Sequence, residues 1–150
     1  MKNLRRIAAC LLLATLSCAW AEDAAIGYVK TLTGEATITT GKNKVNAQVG
    51  SPLYQGSQLK TGHKSSMGVT FKDDTVMSFG ADTELTVDEY LYAPSQGKLK
   101  LGSSLAKGSM NYVSGVIAKL QPDAVSVKTP TGTIGVRGTQ FVVKVEDPAQ

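Results

Sequence analysis

From Ile26 onward the chain runs as short apolar stretches separated by Gly, Asn, Asp, Ser and Lys. Ile26, Tyr28 and Leu32 share a parity, and Ala36 with Ile38 follows a Thr33-Gly34 turn. Val45, Ala47 and Val49 alternate cleanly until Gly50-Ser51-Pro52 breaks the run. Met67, Val69 and Phe71 alternate with Gly68, Thr70 and Lys72, and Asp73-Asp74 makes the next turn. Val76 to Phe79, Leu85 with Val87, and Leu99 with Leu101 continue the pattern. Period-2 alternation, many β-branched residues and closely spaced turn signals predict an all-β domain. One segment reads two ways. Val113, Val116, Ile117 and Leu120 have helical spacing, but Gly115 interrupts them and Pro122 follows, so a strand and a single helical turn both fit.

The alternation recurs at the end. Phe141, Val143 and Val145 alternate with Val142, Lys144 and Glu146. Before them Gly132, Gly135 and Gly138 recur every third residue, a spacing that suits bends or bulges and that a helix interior tolerates poorly. Arg137 lies between the last two. Its guanidinium carries five donors in a fixed fork, which suits the tying of carbonyls at a tight turn. Thr129, Pro130, Gly135, Arg137, Gly138 and Thr139 are therefore read as one structural motif. A contact from Arg137 to an anion or a partner's carboxylate is the alternative. Val29-Lys30-Thr31-Leu32-Thr33-Gly34 also recurs as Val127-Lys128-Thr129-Pro130-Thr131-Gly132, with Leu59-Lys60-Thr61-Gly62 as a shortened copy. Such recurring turns fit stacked β layers, and equally the convergent use of an ordinary turn.

The opening residues belong to another class. Lys2, Arg5 and Arg6 precede an apolar run from Ile7 to Leu16, and Ala19-Trp20-Ala21 supplies a small-x-small cleavage site. Residues 1–21 are expected to be a signal peptide, leaving 22–150 as one β domain in the periplasm or secreted. The leader takes with it both cysteines, Cys10 and Cys18, and three of the 16 basic residues, leaving 13 Lys+Arg against 12 Asp+Glu. The remaining domain has neither disulfide nor thiol chemistry, and its near-neutral charge argues against a nucleic-acid partner.

Candidate chemistry is sparse. His63, the one histidine, sits in an evident turn. With no cysteine in the mature chain, a zinc site would need mostly carboxylates, so neither a metal nor another cofactor is expected. Asp73-Asp74 and Asp88-Glu89 are paired acids without the spacing of a calcium loop. Neighbouring residues on a strand point to opposite faces, which argues against paired-carboxylate hydrolysis. Tyr90 and Tyr92 share one strand face ahead of a Pro-Ser-Gln-Gly turn. They are read either as a partner-contact patch or as a cover over the end of the core.

Val127-Lys128-Thr129-Pro130 followed by Gly135-Val136-Arg137-Gly138-Thr139-Gln140-Phe141 resembles the closing signature of the FecR domain family. Leu59-Lys60-Thr61-Gly62, Phe71-Lys72-Asp73-Asp74-Thr75-Val76 and the run from Gly108 to Lys119 into Pro122-Asp123-Ala124-Val125 resemble its middle segments. The resemblance spans about Tyr28 to Val145. It implies a compact β-solenoid-like fold of layered short strands, and a role in relaying signals across the cell envelope. Neither a retained membrane span nor a separate signalling domain after Val145 is expected. The expectation is therefore a free-standing, non-enzymatic module that binds an outer-membrane or periplasmic protein in a sensory, scaffolding or assembly role. The alternatives are a carbohydrate- or peptidoglycan-binding module and a small hydrolase.

Overall fold

A computed structural model describes residues 24–146; the expected leader lies outside them. The described chain is all-β, a curled and mostly antiparallel ladder of twelve strands. The strands are β1 (Gly27–Thr33), β2 (Ala36–Thr40), β3 (Asn43–Asn46), β4 (Pro52–Leu53), β5 (Gln58–Thr61) and β6 (Ser66–Phe71). They continue as β7 (Val76–Phe79), β8 (Glu84–Ala93), β9 (Lys98–Val113), β10 (Val125–Thr129), β11 (Gly132–Gly135) and β12 (Gln140–Val145). One short helix, α1 (Val116–Leu120), follows β9.

The 16-residue β9 is the spine. Its second half, from Gly108, pairs with β7 and β12 in a first sheet ordered β4-β1-β6-β7-β9-β12. Its first half pairs with β8 and β10 in a second sheet ordered β3-β2-β5-β8-β9-β10-β11. The chain passes between sheets at Gly108, whose φ of +91° lies where side chains are disfavoured. A Cβ there would sit 2.4 Å from the Thr83 Cα, so only glycine fits the bend. The β9–β10 pairing is parallel, reached through α1 and a 3-10 turn at Pro122–Ala124.

Alternation built the core as expected. Val29, Val69, Met77, Leu85, Val87, Leu101 and Leu105 are fully buried between the sheets. Two local readings changed. The ambiguous segment splits into strand and helix: β9 stops at Val113 and α1 buries Ile117, while Pro122 prevents continuation. Val45 and Val49 are exposed although Ala47 is buried, because β3 is an edge strand and the chain turns between Gln48 and Ser51. The recurring Thr-Gly turns do stack in one place. The Gly62 N–H donates to the Glu35 carbonyl at 2.8 Å, and the Glu35 N–H to Ser65 Oγ at 2.9 Å.

Candidate functional site

One buried carboxylate gathers four hydrogen bonds. Asp73 ends the β6 side of the β6–β7 turn and is wholly excluded from solvent. Its Oδ2 accepts from the Thr75 hydroxyl at 2.7 Å and from the Ile117 N–H in the first turn of α1 at 3.2 Å. Its Oδ1 accepts from the Tyr90 hydroxyl at 3.1 Å, and its carbonyl accepts from the Val116 N–H at 2.7 Å. One carboxylate thus joins the β6–β7 turn, β8 and the start of α1, meeting the orphan donors of a helix N-terminus. Gly115 makes the approach feasible, since a Cβ there would fall 2.3 Å from both the Asp73 carbonyl and the Thr75 nitrogen. The sequence reading placed Asp73 in a turn but missed this role. The Asp-x-Thr spacing was the available signal, because Asp side chains bond backbone two residues on.

Tyr90 belongs to this cluster and is not a partner contact. The ring is 8% exposed, stacks on Phe71 at 5.5 Å, and its hydroxyl also accepts from the Asp73 N–H at 3.0 Å. Burial, then the adjacent Asp73 carboxylate, pushes its phenol well above the ordinary range. The period-2 parity was read correctly, but the shared face is the inner one. Tyr92 is half-buried against the same core. Tyr112 lies close by, also raised by burial, and its hydroxyl finds no hydrogen-bond partner among the described residues. Its neighbours Thr75 and Ser114 donate their hydroxyls elsewhere, to Asp73 and to the Gly138 carbonyl.

The closing motif is built differently from the expectation for Arg137. Thr129 and Pro130 do form a tight turn: Thr129 pairs with Gly132, and the Thr129 hydroxyl donates to the Gly132 carbonyl at 2.9 Å. Around Gly138 and Thr139, however, the staple is Ser114. Its hydroxyl donates to the Gly138 carbonyl at 2.7 Å and its N–H to the Thr139 carbonyl at 2.8 Å. Arg137 is exposed, with no hydrogen bond or ion pair among the described residues, and Gly135 is exposed beside it. Only Val136 of this stretch is buried, so the backbone turns outward and carries the guanidinium into solvent.

The remaining candidates are dispersed. His63 Nδ1 faces Asp82 Oδ2 at 3.2 Å on an exposed turn. Asp88 accepts from Ser104, and Glu89 pairs with Lys100 at 2.9 Å. The two acids do not point to opposite faces as neighbours on a regular strand would. A bulge between Val87 and Glu89 inserts one residue and turns both toward the outer side. Among the described residues no cluster of His, Cys, Asp and Glu has the makings of a metal site.

What distinguishes the surface is a contrast between its two sheet faces. The register sets Tyr28, Thr70, Val76, Val113 and Gln140 in one row across the outer face of the first sheet. Thr31, Gly68, Ser78, Asn111 and Val142 form the next, and Ser109 stands beside Lys144 at a corner. Apart from the bulge residue Lys30 and a Lys144–Glu146 pair at that corner, this face carries no charge in its strand rows. Its amides are ordered, with Gln140 Nε2 donating to Asn111 Oδ1 at 3.0 Å. The outer face of the second sheet presents Lys44, Lys60, Glu84, Asp88, Glu89, Lys100 and Lys128, including a Lys60–Glu84 pair at 3.4 Å. Beside β12 the sandwich opens into a groove of about 450 Å³, bounded by Pro130 and Ile134 on one side and Val143 and Val145 on the other.

The chain matches the FecR protein family over residues 57–150, from the turn before β5 onward, and belongs to that family. FecR proteins are regulatory and signalling proteins rather than known enzymes. No curated protein and no solved structure matches the chain.

Proposed function

We propose that this chain is an exported, non-enzymatic FecR module that binds an envelope protein, outer-membrane or periplasmic, in a sensory, scaffolding or assembly role. The supporting observation is the outer face of the first sheet, uncharged across its central rows, set against the charged face of the second. The core of a protein interface is marked by depletion of charge more than by bulk hydrophobicity. Tyr28, Val76, Val113 and Val142 supply apolar area there, while Ser78, Asn111 and Gln140 supply donors and acceptors. The partner is accordingly a protein presenting an equally flat, uncharged patch. Export rests on the leader read from residues 1–21. A photo-crosslinking residue at Ser78 should give a protein adduct in cells, and one at Thr86 on the charged face should give none. Adducts at both sites or at neither would overturn the assignment.

A second reading, a glycan-binding module, draws on the exposed Tyr28 ring beside the ordered Asn111–Gln140 amides, since rings and amides together can hold a sugar. Co-sedimentation with murein sacculi that is lost in Tyr28→Ala would favour it.

A further inference from the structure

We infer that β12 is a self-association edge, through which two copies of this chain join their first sheets antiparallel about a two-fold axis at Val142. In the ladder, the Ser114 N–H donates to the Thr139 carbonyl, and Gly80 N–H to the Ser109 carbonyl. In antiparallel pairing both backbone groups of a residue point to one side, and successive residues alternate. The two bonds fix the phase consistently: Phe141, Val143 and Val145 bond to β9, and Gln140, Val142 and Lys144 aim their N–H and C=O groups outward. β12 pairs with β9 alone among the described strands, so these groups form an open row.

Proteins ordinarily blunt such an edge with Pro, a bulge, inward charge or edge lysines, and here Lys144 is the one edge lysine, its charge met by Glu146. β12 has no Pro, bulge or inward charge across Gln140–Val145, and its centre is Val142, at 70% the most exposed large apolar residue described. Among the pairings this phase permits, the one centred on an outward residue at mid-strand is the one the exposed Val142 and the terminal charges favour. Val142 meets Val142 of the second copy, and Gln140 meets Lys144 in both directions. Phe141 then stands opposite Val143 on the inner side.

Charge selects the occupant. In this register Glu146 of each copy falls opposite Gly138 of the other, next to Arg137. Arg137 is exposed and unpartnered among the described residues, and the Glu146 carboxylate is held only by Lys144 at 3.1 Å on an exposed strand end. Two-fold symmetry makes this complementary contact twice, as an isologous interface requires. An arginine fork on a carboxylate also outmatches an exposed lysine pair two residues away. The assembly sets the two uncharged faces edge to edge, and it stands whether or not a partner docks there.

Sedimentation of the purified protein over a concentration series tests this. The wild type should show a monomer–dimer equilibrium. Val142→Lys, which sets like charges face to face, should weaken it by roughly tenfold or more. Arg137→Glu and Glu146→Arg should each weaken it while keeping the wild-type circular dichroism, and the double exchange should restore it. A protein monomeric throughout, a dimer indifferent to Val142→Lys, or a double exchange no better than the single ones would each overturn the proposal.

Discussion

Two tyrosines of similar burial separate a hydroxyl that holds the fold from one that does not. Tyr90 exchanges bonds with Asp73, whereas the Tyr112 hydroxyl is unpaired among the described residues. Removing one partner of a buried hydrogen bond costs about 1–3 kcal/mol. Denaturant melts of Tyr90→Phe should show a loss of that order, and Tyr112→Phe should melt within about 0.5 kcal/mol of wild type, as substitutions that break no contact do. Both phenols are raised in the folded state, so above the ordinary tyrosine pKa of about 10 the unfolded chain releases protons that the folded chain keeps. Their contribution is complete below about pH 10 and is lost as pH rises beyond it. Stability should therefore fall above about pH 10 in wild type, and less steeply in Tyr90→Phe. An equally steep fall in that variant would remove Tyr90 as the source.

At the level of elements, the tie between α1 and the β6–β7 turn should be the most sensitive joint. Asp73→Asn keeps the size but weakens acceptance from the Ile117 N–H, and Gly115→Ala forces a Cβ into the turn's backbone. Overpacking of this kind costs about 1–3 kcal/mol. Hydrogen exchange should show faster opening of the Val116 and Ile117 amides in Asp73→Asn, with the β8 amides little changed. Strand alternation was legible in the sequence because period 2 depends only on which residues face inward. The placement of Tyr90 was not, because parity groups residues by face without saying which face is inside. Arg137 misled for a related reason. Its donor geometry was sound, but Ser114, 24 residues before Gly138 in sequence, already occupies the Gly138 carbonyl. The Asp88-Glu89 bulge was equally hidden, since nothing local marks the inserted residue.

For the whole molecule, the neutral face appears only once the register is known. Its rows draw on β1, β6, β7, β9 and β12, whose members are spread from Tyr28 to Val142. Uncharged runs such as Gly108–Ala118 do not mark it, because alternate residues of a strand face inward. The acids and lysines of the second sheet conceal it further, because in the linear chain the two faces are interleaved. The layered β reading and the family resemblance carried the fold, while the site depended on long-range pairing.

The most direct measurement compares Ser78→Lys with Thr86→Lys, one charge added to each outer face, for thermal stability and for capture of the crosslinked envelope protein. Both are outward-facing substitutions and should shift stability by no more than about 0.5 kcal/mol. Capture should be lost in Ser78→Lys and kept in Thr86→Lys. Undiminished capture by a folded Ser78→Lys protein, or its loss only in Thr86→Lys, would contradict the assignment of the neutral face.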